Sequence, residues 1–189
     1  LSTTKEEIFL RLLNGEMCEQ SLLSRFEASW GSSIRDGAVL AVMELPQNDG
    51  FSKNAIISSI RKTNPAAFPM QHSGRILCLL PAGDERYRSR VREVAESSEL
   101  CAALSPVLHF WEQIRNAWQL ADFVLTSCEK SGYVVDCGRY LWDYFLHCFK
   151  RTEADLLLHP DLLLLRSMKD NKDNLLVDTL YCYLSNNCK

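Results

Sequence analysis

The sequence has no C-x-x-C pair, no excess of positive charge, no long hydrophobic run and none of the short catalytic signatures, and each absence removes a class of chemistry. Eight cysteines, Cys18, Cys78, Cys101, Cys128, Cys137, Cys148, Cys182 and Cys188, are scattered through apolar patterns. That spacing predicts buried free thiols in a reducing compartment rather than a zinc or disulfide framework. Lys and Arg number 21 against 24 Asp and Glu, a net charge of −3. This is the wrong sign for a surface that tracks nucleic-acid phosphates. The leucine-rich stretch Leu156 to Leu165 is interrupted by His159, Pro160 and Asp161. It falls far short of the roughly 20 apolar residues of a membrane span, and no basic-then-apolar leader opens the sequence. A soluble, cytoplasmic protein without a membrane partner is expected.

What is present is ordinary globular material. In 189 residues, 47% are hydrophobic and 24% charged, enough for one good core or two small ones. Thr4-Lys5-Glu6-Glu7 has the form of a capping box, in which a hydroxyl and a carboxylate satisfy the free N–H groups of a helix start. The helix is predicted to run to Gly15 with Ile8, Phe9, Leu12 and Leu13 on one stripe. A second carries Leu22, Leu23, Phe26 and Trp30 and ends at Gly31. The run AVLAVMEL, Ala38 to Leu45, between Gly37 and Pro46, predicts a buried strand. Ser52 caps the next helix, whose apolar face is Ala55, Ile56, Ile57 and Ile60, and Asn64-Pro65 ends it. A hairpin follows, with arms Ala66 to His72 and Arg75 to Leu80 around Ser73-Gly74.

Asp84 is expected to start a helix with the stripe Tyr87, Val91, Val94, Ala95 and Ser98. Its arginines read as an exposed face, with Arg92 and Glu96 spaced as a solvated ion pair. A short strand spans Cys101 to Leu104. Pro106 then opens a long helix through Val107, Phe110, Trp111, Ile114, Ala117, Trp118, Ala121, Val124 and Leu125. The order strand, helix, strand, strand, helix, strand, helix predicts an α+β, ferredoxin-like domain with an antiparallel sheet. After Gly132 the stripes Leu141, Trp142, Phe145, Phe149, then Leu162, Leu165, Met168, then Leu176, Leu180, Tyr183, Leu184 predict a helical unit. The expected divisions are N-terminal linker helices over 1–35, an α/β domain over 36–132 and a helical region over 133–189.

Three segments carry a resemblance to the PucR/CdaR family of bacterial transcriptional regulators. FLRLLNGE, starting at Phe9, is similar to the family's linker helix with its Leu-Leu-x-Gly ending. AALSPVLHFWEQIRNAWQLADFVL, from Ala102, is similar to its short strand, Ser turn and long helix. In the third, His159-Pro160-Asp161-Leu162, Asp170, and Leu176 with Thr179, Leu180, Tyr183 and Leu184 match the His-Pro-x-Leu segment, the Asp and the Leu-x-x-Thr-Leu-x-x-Tyr-Leu helix that lead into the family's helix-turn-helix. The resemblance implies a GGDEF-like middle domain and a chain truncated at both ends, stopping before the recognition helix. DNA would then be contacted only through the missing helix-turn-helix. The implied role is regulation, with a small-molecule effector-sensing domain as the alternative; the Leu-, Trp- and Phe-rich helical stripes outside the α/β core predict self-association as a homodimer.

An active diguanylate cyclase carries Gly-Gly-Asp/Glu-Glu-Phe at the hairpin, because carboxylates must hold metal ions on the nucleotide phosphates. Here that position reads His72-Ser73-Gly74-Arg75, and Glu44 alone cannot supply a metal pair. No G-x-S-x-G elbow, Walker A loop or HExxH helix occurs. His147 and Cys148 are helix neighbours pointing about 100° apart, a poor nucleophile–base pair. His109 and Glu112 offer only two ligands where a metal needs three or four. Asp170-Asn171-Lys172-Asp173-Asn174 resembles a calcium loop but places Lys172 at the third ligand position and lacks the glycine. The expectation is a non-enzyme with no catalytic, cofactor or metal residues; the less favoured alternative is a nucleotide-cyclase-like enzyme.

Overall fold

The computed structural model describes residues 4–44, 53–83, 86–127 and 134–151. It is a mixed α+β fold. Two compact units divide the chain, Leu1–Tyr144 and Phe145–Lys189. In the first lie α1 (Lys5–Asn14), α2 (Gln20–Trp30), β1 (Ala38–Glu44), α3 (Lys53–Thr63), β2 (Phe68–His72), β3 (Arg75–Pro81), α4 (Tyr87–Ser97), β4 (Cys101–Leu104), α5 (Gln113–Ser127) and β5 (Val134–Asp136). The helix α6 (Leu141–Arg151) starts in the first unit and continues into the second. The segment from His159 to Leu184, with its helical stripes and the acidic run at Asp170, lies outside the described residues.

The capping box forms as the sequence predicts. The Thr4 hydroxyl accepts from the Glu7 amide at 3.2 Å, and the Thr4 amide donates to the Glu7 carboxylate at 2.6 Å. At the other end Gly15 takes a φ of 76°, closed to most side chains, and its N–H caps the carbonyls of Arg11 and Leu12. The buried faces of α1 and α2 do not pack on each other alone. Ile8, Phe9, Leu12, Leu23 and Phe26 share one core with Ile114, Ala117, Ala121 and Val124 of α5 and with the sheet face of Leu40, Val42, Leu77 and Leu79.

The sheet has the order β2-β3-β1-β4-β5. Central β1 pairs antiparallel with β3 on one side and β4 on the other. Its alternate residues serve two cores: Ala38, Leu40 and Val42 face α1, α2 and α5, while Val39, Ala41 and Met43 face α3 and α4. A strand covered on both faces needs apolar residues at every position, and the unbroken run AVLAVM meets that need. The sheet is not purely antiparallel as expected. Beyond β4, β5 pairs in parallel, through Ala102 with Val134, Ala103 with Val135 and Leu104 with Asp136. This strand lies inside the stretch 133–189 that reads as helical, because three residues are too few to show a period of two.

The helix expected at Pro106 begins at Gln113 instead. Leu108 is held in an extended bridge, donating to the Ala38 carbonyl at 2.7 Å and accepting from the Ala38 amide at 2.8 Å. The Gln113 side chain then accepts from the amides of His109 and Phe110 at 2.8 and 3.0 Å, closing a turn where a helix would need those groups. Val107 and Phe110 are consequently exposed rather than part of the buried stripe. Ser105 finishes β4: its hydroxyl accepts from the Leu40 amide at 3.0 Å and donates to the Pro106 carbonyl at 2.7 Å. On α3, Ile56 and Ile60 are buried, but Ala55 is exposed. The first hairpin arm starts at Phe68; Ala66 instead lies in a turn, where its carbonyl accepts from the Trp30 indole at 3.0 Å.

Candidate functional site

Among the described residues of the first unit, polar side chains gather on an ordered frame at both opposite edges of the sheet. One such place is the β2–β3 turn. Ser73 and Gly74 both take positive φ, 49° and 78°, the pattern of the tight hairpin turn whose twist matches its strands. The flanking pair His72 and Arg75 leans on α5. The His72 ring meets Trp118 edge to face at 5.5 Å between centroids, and the Arg75 guanidinium lies 5.8 Å from the same indole centroid. Arg75 also forms an ion pair with Asp122, one turn further along α5, and only 11% of its side chain is exposed. Glu44 of β1 stands opposite Arg75 in register. Arg75 is thus a cation held in place between the hairpin and α5 by Asp122 and Trp118.

The second place is a cleft of about 730 Å³ between α4 and the chain that follows β4. Its α4 wall carries Arg88, Ser89, Arg92, Glu93, Glu96 and Ser97; the facing wall carries Val134, Val135 and Asp136 of β5 and, from the short 3-10 turn Cys137–Tyr140, Arg139 and Tyr140. The sequence builds this wall locally. Val134 and Val135 are β-branched and extend the sheet, and Asp136 then ends the strand by accepting from the Gly138 amide at 2.9 Å. The other carboxylate oxygen accepts from Arg88 at 2.9 Å, tying β5 to α4. Arg88 also donates to the Tyr87 hydroxyl at 3.2 Å, with its guanidinium 5.8 Å from that ring's centroid. The hydrogen bonds to Tyr87 and then to Asp136 raise the Arg88 pKa above its ordinary value, so this side chain stays cationic. Sequence spacing points to Arg92–Glu96 as a solvated ion pair; among the described residues Arg88 of this helix pairs with Asp136 instead.

The other sequence candidates are dispersed. His109 lies in the turn before α5, with its ring nitrogen Nδ1 3.4 Å from the Arg35 carbonyl. Among the described residues no three His, Cys, Asp or Glu side chains converge as metal ligands. Cys78 and Cys137 are buried, and Cys18, Cys101 and Cys148 are half-buried. Burial pushes the Cys78 thiol pKa far up, so it is protonated and unreactive. His147 and Cys148 are adjacent on α6. The cleft itself was missed in the sequence, although Val-Val followed by Asp-x-Gly is a short strand ending in an Asx turn. No family model and no curated protein matches the chain.

Proposed function

We propose that this chain is a catalytically silent regulatory and self-association module, built on a ferredoxin-like, GGDEF-like domain, of a cytoplasmic PucR/CdaR-type transcriptional regulator. The β-α-β-β-α-β order of β1 to β4 with β1 between β3 and β4 supports the ferredoxin-like reading. The observation that carries the silent reading is the hairpin. Its His72 and Arg75 are engaged with Trp118 and Asp122, so the position that would work as a metal site in a cyclase works here as a clamp between the sheet and α5. In this reading residues 1–189 do not themselves read DNA sequence.

Two measurements test it together. Incubation with GTP and magnesium or manganese is expected to give no cyclic dinucleotide, and product above background overturns the silent reading. A gel-shift titration of residues 1–189 on the DNA upstream of the gene is expected to show weak, salt-sensitive, sequence-indifferent binding, in keeping with the net charge of −3. Tight sequence-selective binding by these residues alone would place the DNA-reading element elsewhere. The cleft beside α4 favours the second reading, a domain that senses a small molecule.

A further inference from the structure

We propose that the cleft between α4 and β5 is a binding site for a small zwitterionic molecule, one that carries both a carboxylate and an ammonium group. The volume, about 730 Å³, lies within the range of small-molecule sites. Its walls are formed by charged groups of both signs. Arg88, Arg92 and Arg139 stand against Glu93, Glu96 and Asp136, so the lining is formally neutral.

The pairing inside the cleft decides what remains for a ligand. Arg88 and Asp136 neutralise each other. Among the described residues, Arg92 and Arg139 form no salt bridge, and neither do Glu93 and Glu96, although Arg92 and Glu96 have the helical spacing to do so. Two guanidiniums from opposite walls, one on α4 and one on the turn after β5, are thus available to hold a carboxylate, which their planar forks match geometrically. Two carboxylates on α4 are available for an ammonium. An anion alone would enter against Glu93 and Glu96, and a cation alone against Arg92 and Arg139. A molecule with both charges satisfies both walls, and the mismatched wall disfavours each single-charge competitor. The acids do not converge as a metal site, and Val134 and Val135 provide only a limited apolar floor.

This inference is independent of the regulator reading: a chain that never contacts DNA would still bind the ligand, so the two fail separately. The probes are the common α-amino acids, each compared with its deaminated carboxylic acid and its decarboxylated amine, by thermal shift and isothermal titration on residues 1–189. At least one amino acid is expected to bind one to one, with both single-charge analogues weaker by about tenfold or more. Arg92→Ala and Arg139→Ala should each weaken that binding by about tenfold or more, with Lys at either position recovering only part of it. Arg25→Ala, at an exposed position on α2, should leave it unchanged. Arg92 and Arg139 are also exposed, and matching circular dichroism spectra check that the variants fold. The proposal is overturned if no amino acid binds at millimolar concentration, if a carboxylic acid alone binds equally well, or if binding survives both arginine substitutions.

Discussion

Replacing Phe26 by alanine should unfold far more than the end of one helix. Its ring is 1% exposed and meets four other rings: Phe9 at 6.2 Å, Trp30 at 6.3 Å, Phe68 at 5.2 Å and Trp111 at 5.3 Å between centroids. These neighbours come from α1, α2, β2 and the turn before α5, so the side chain joins the N-terminal helices to the sheet. A buried Phe→Ala change costs about 3–5 kcal/mol, and edge-to-face pairs add roughly 0.5–1.5 kcal/mol each beyond area. The two figures overlap, since truncation already removes the ring contacts, so the expected loss is about 4 kcal/mol. Against a total of roughly 5–15 kcal/mol this is a large share, worth on the order of 10 °C in Tm. Urea unfolding followed by far-UV circular dichroism and by tryptophan fluorescence should show both midpoints falling together. A loss below about 1 kcal/mol, or a fluorescence transition that moves while the dichroism midpoint stays, would mean that α1 and α2 are an appendage.

Two further outcomes follow from single positions. Ser73→Asn places a residue that tolerates positive φ at a φ of 49°, creating an Asn-Gly turn, and should stabilise the fold by a few tenths to about 1 kcal/mol; a lower urea midpoint would refute the turn geometry. Cys78 is fully buried with a raised pKa, so the folded state keeps its proton where the unfolded thiol ionises. Its contribution to stability is therefore complete below the ordinary thiol pKa of about 8.5 and declines as pH rises above it. Labelling of Cys78 by a thiol reagent, read by peptide mass, should track global unfolding, and rapid labelling of the native protein would contradict its burial.

Elements whose residues face two cores were legible; elements defined by a few backbone pairings were not. The six-residue run from Ala38 to Met43 has one physical use, a strand covered on both sides, and it is found there. The stripe on α4 is legible because one face of it meets a single core at helical spacing: Tyr87, Val91, Val94, Ala95 and Ser98 are all buried. By contrast, Val107 and Phe110 continue the helical rhythm of α5 backwards by coincidence. What stops the helix is the Leu108–Ala38 bridge, a partner 70 residues away that no local window contains. The cleft was hidden for a related reason. Arg88 and Asp136 are separated by 48 residues, so their pairing depends on β5 lying beside β4, and β5 is too short to announce itself.

The sheet order bears on how a ligand would act. The clamp at the β2–β3 turn and the cleft at β5 sit at opposite edges, with β1 and β4 between β3 and β5. A molecule in the cleft touches neither Arg75 nor Trp118, which are absent from its lining, and substitutions at the two sites should add in stability, as sites without shared partners do. Its nearest consequence lies elsewhere. Arg139 and Tyr140 line the cleft and directly precede Leu141, the first residue of α6, which carries the chain out of the first compact unit. A carboxylate held by Arg139 adds a contact to the turn Cys137–Tyr140, which Asp136 already holds through the Gly138 amide. A ligand changes an equilibrium only by its differential affinity for two states. If the cleft is a sensor, the state it selects must differ in the turn at Cys137–Tyr140, and the substitutions that uncouple binding from response should fall there rather than at the hairpin.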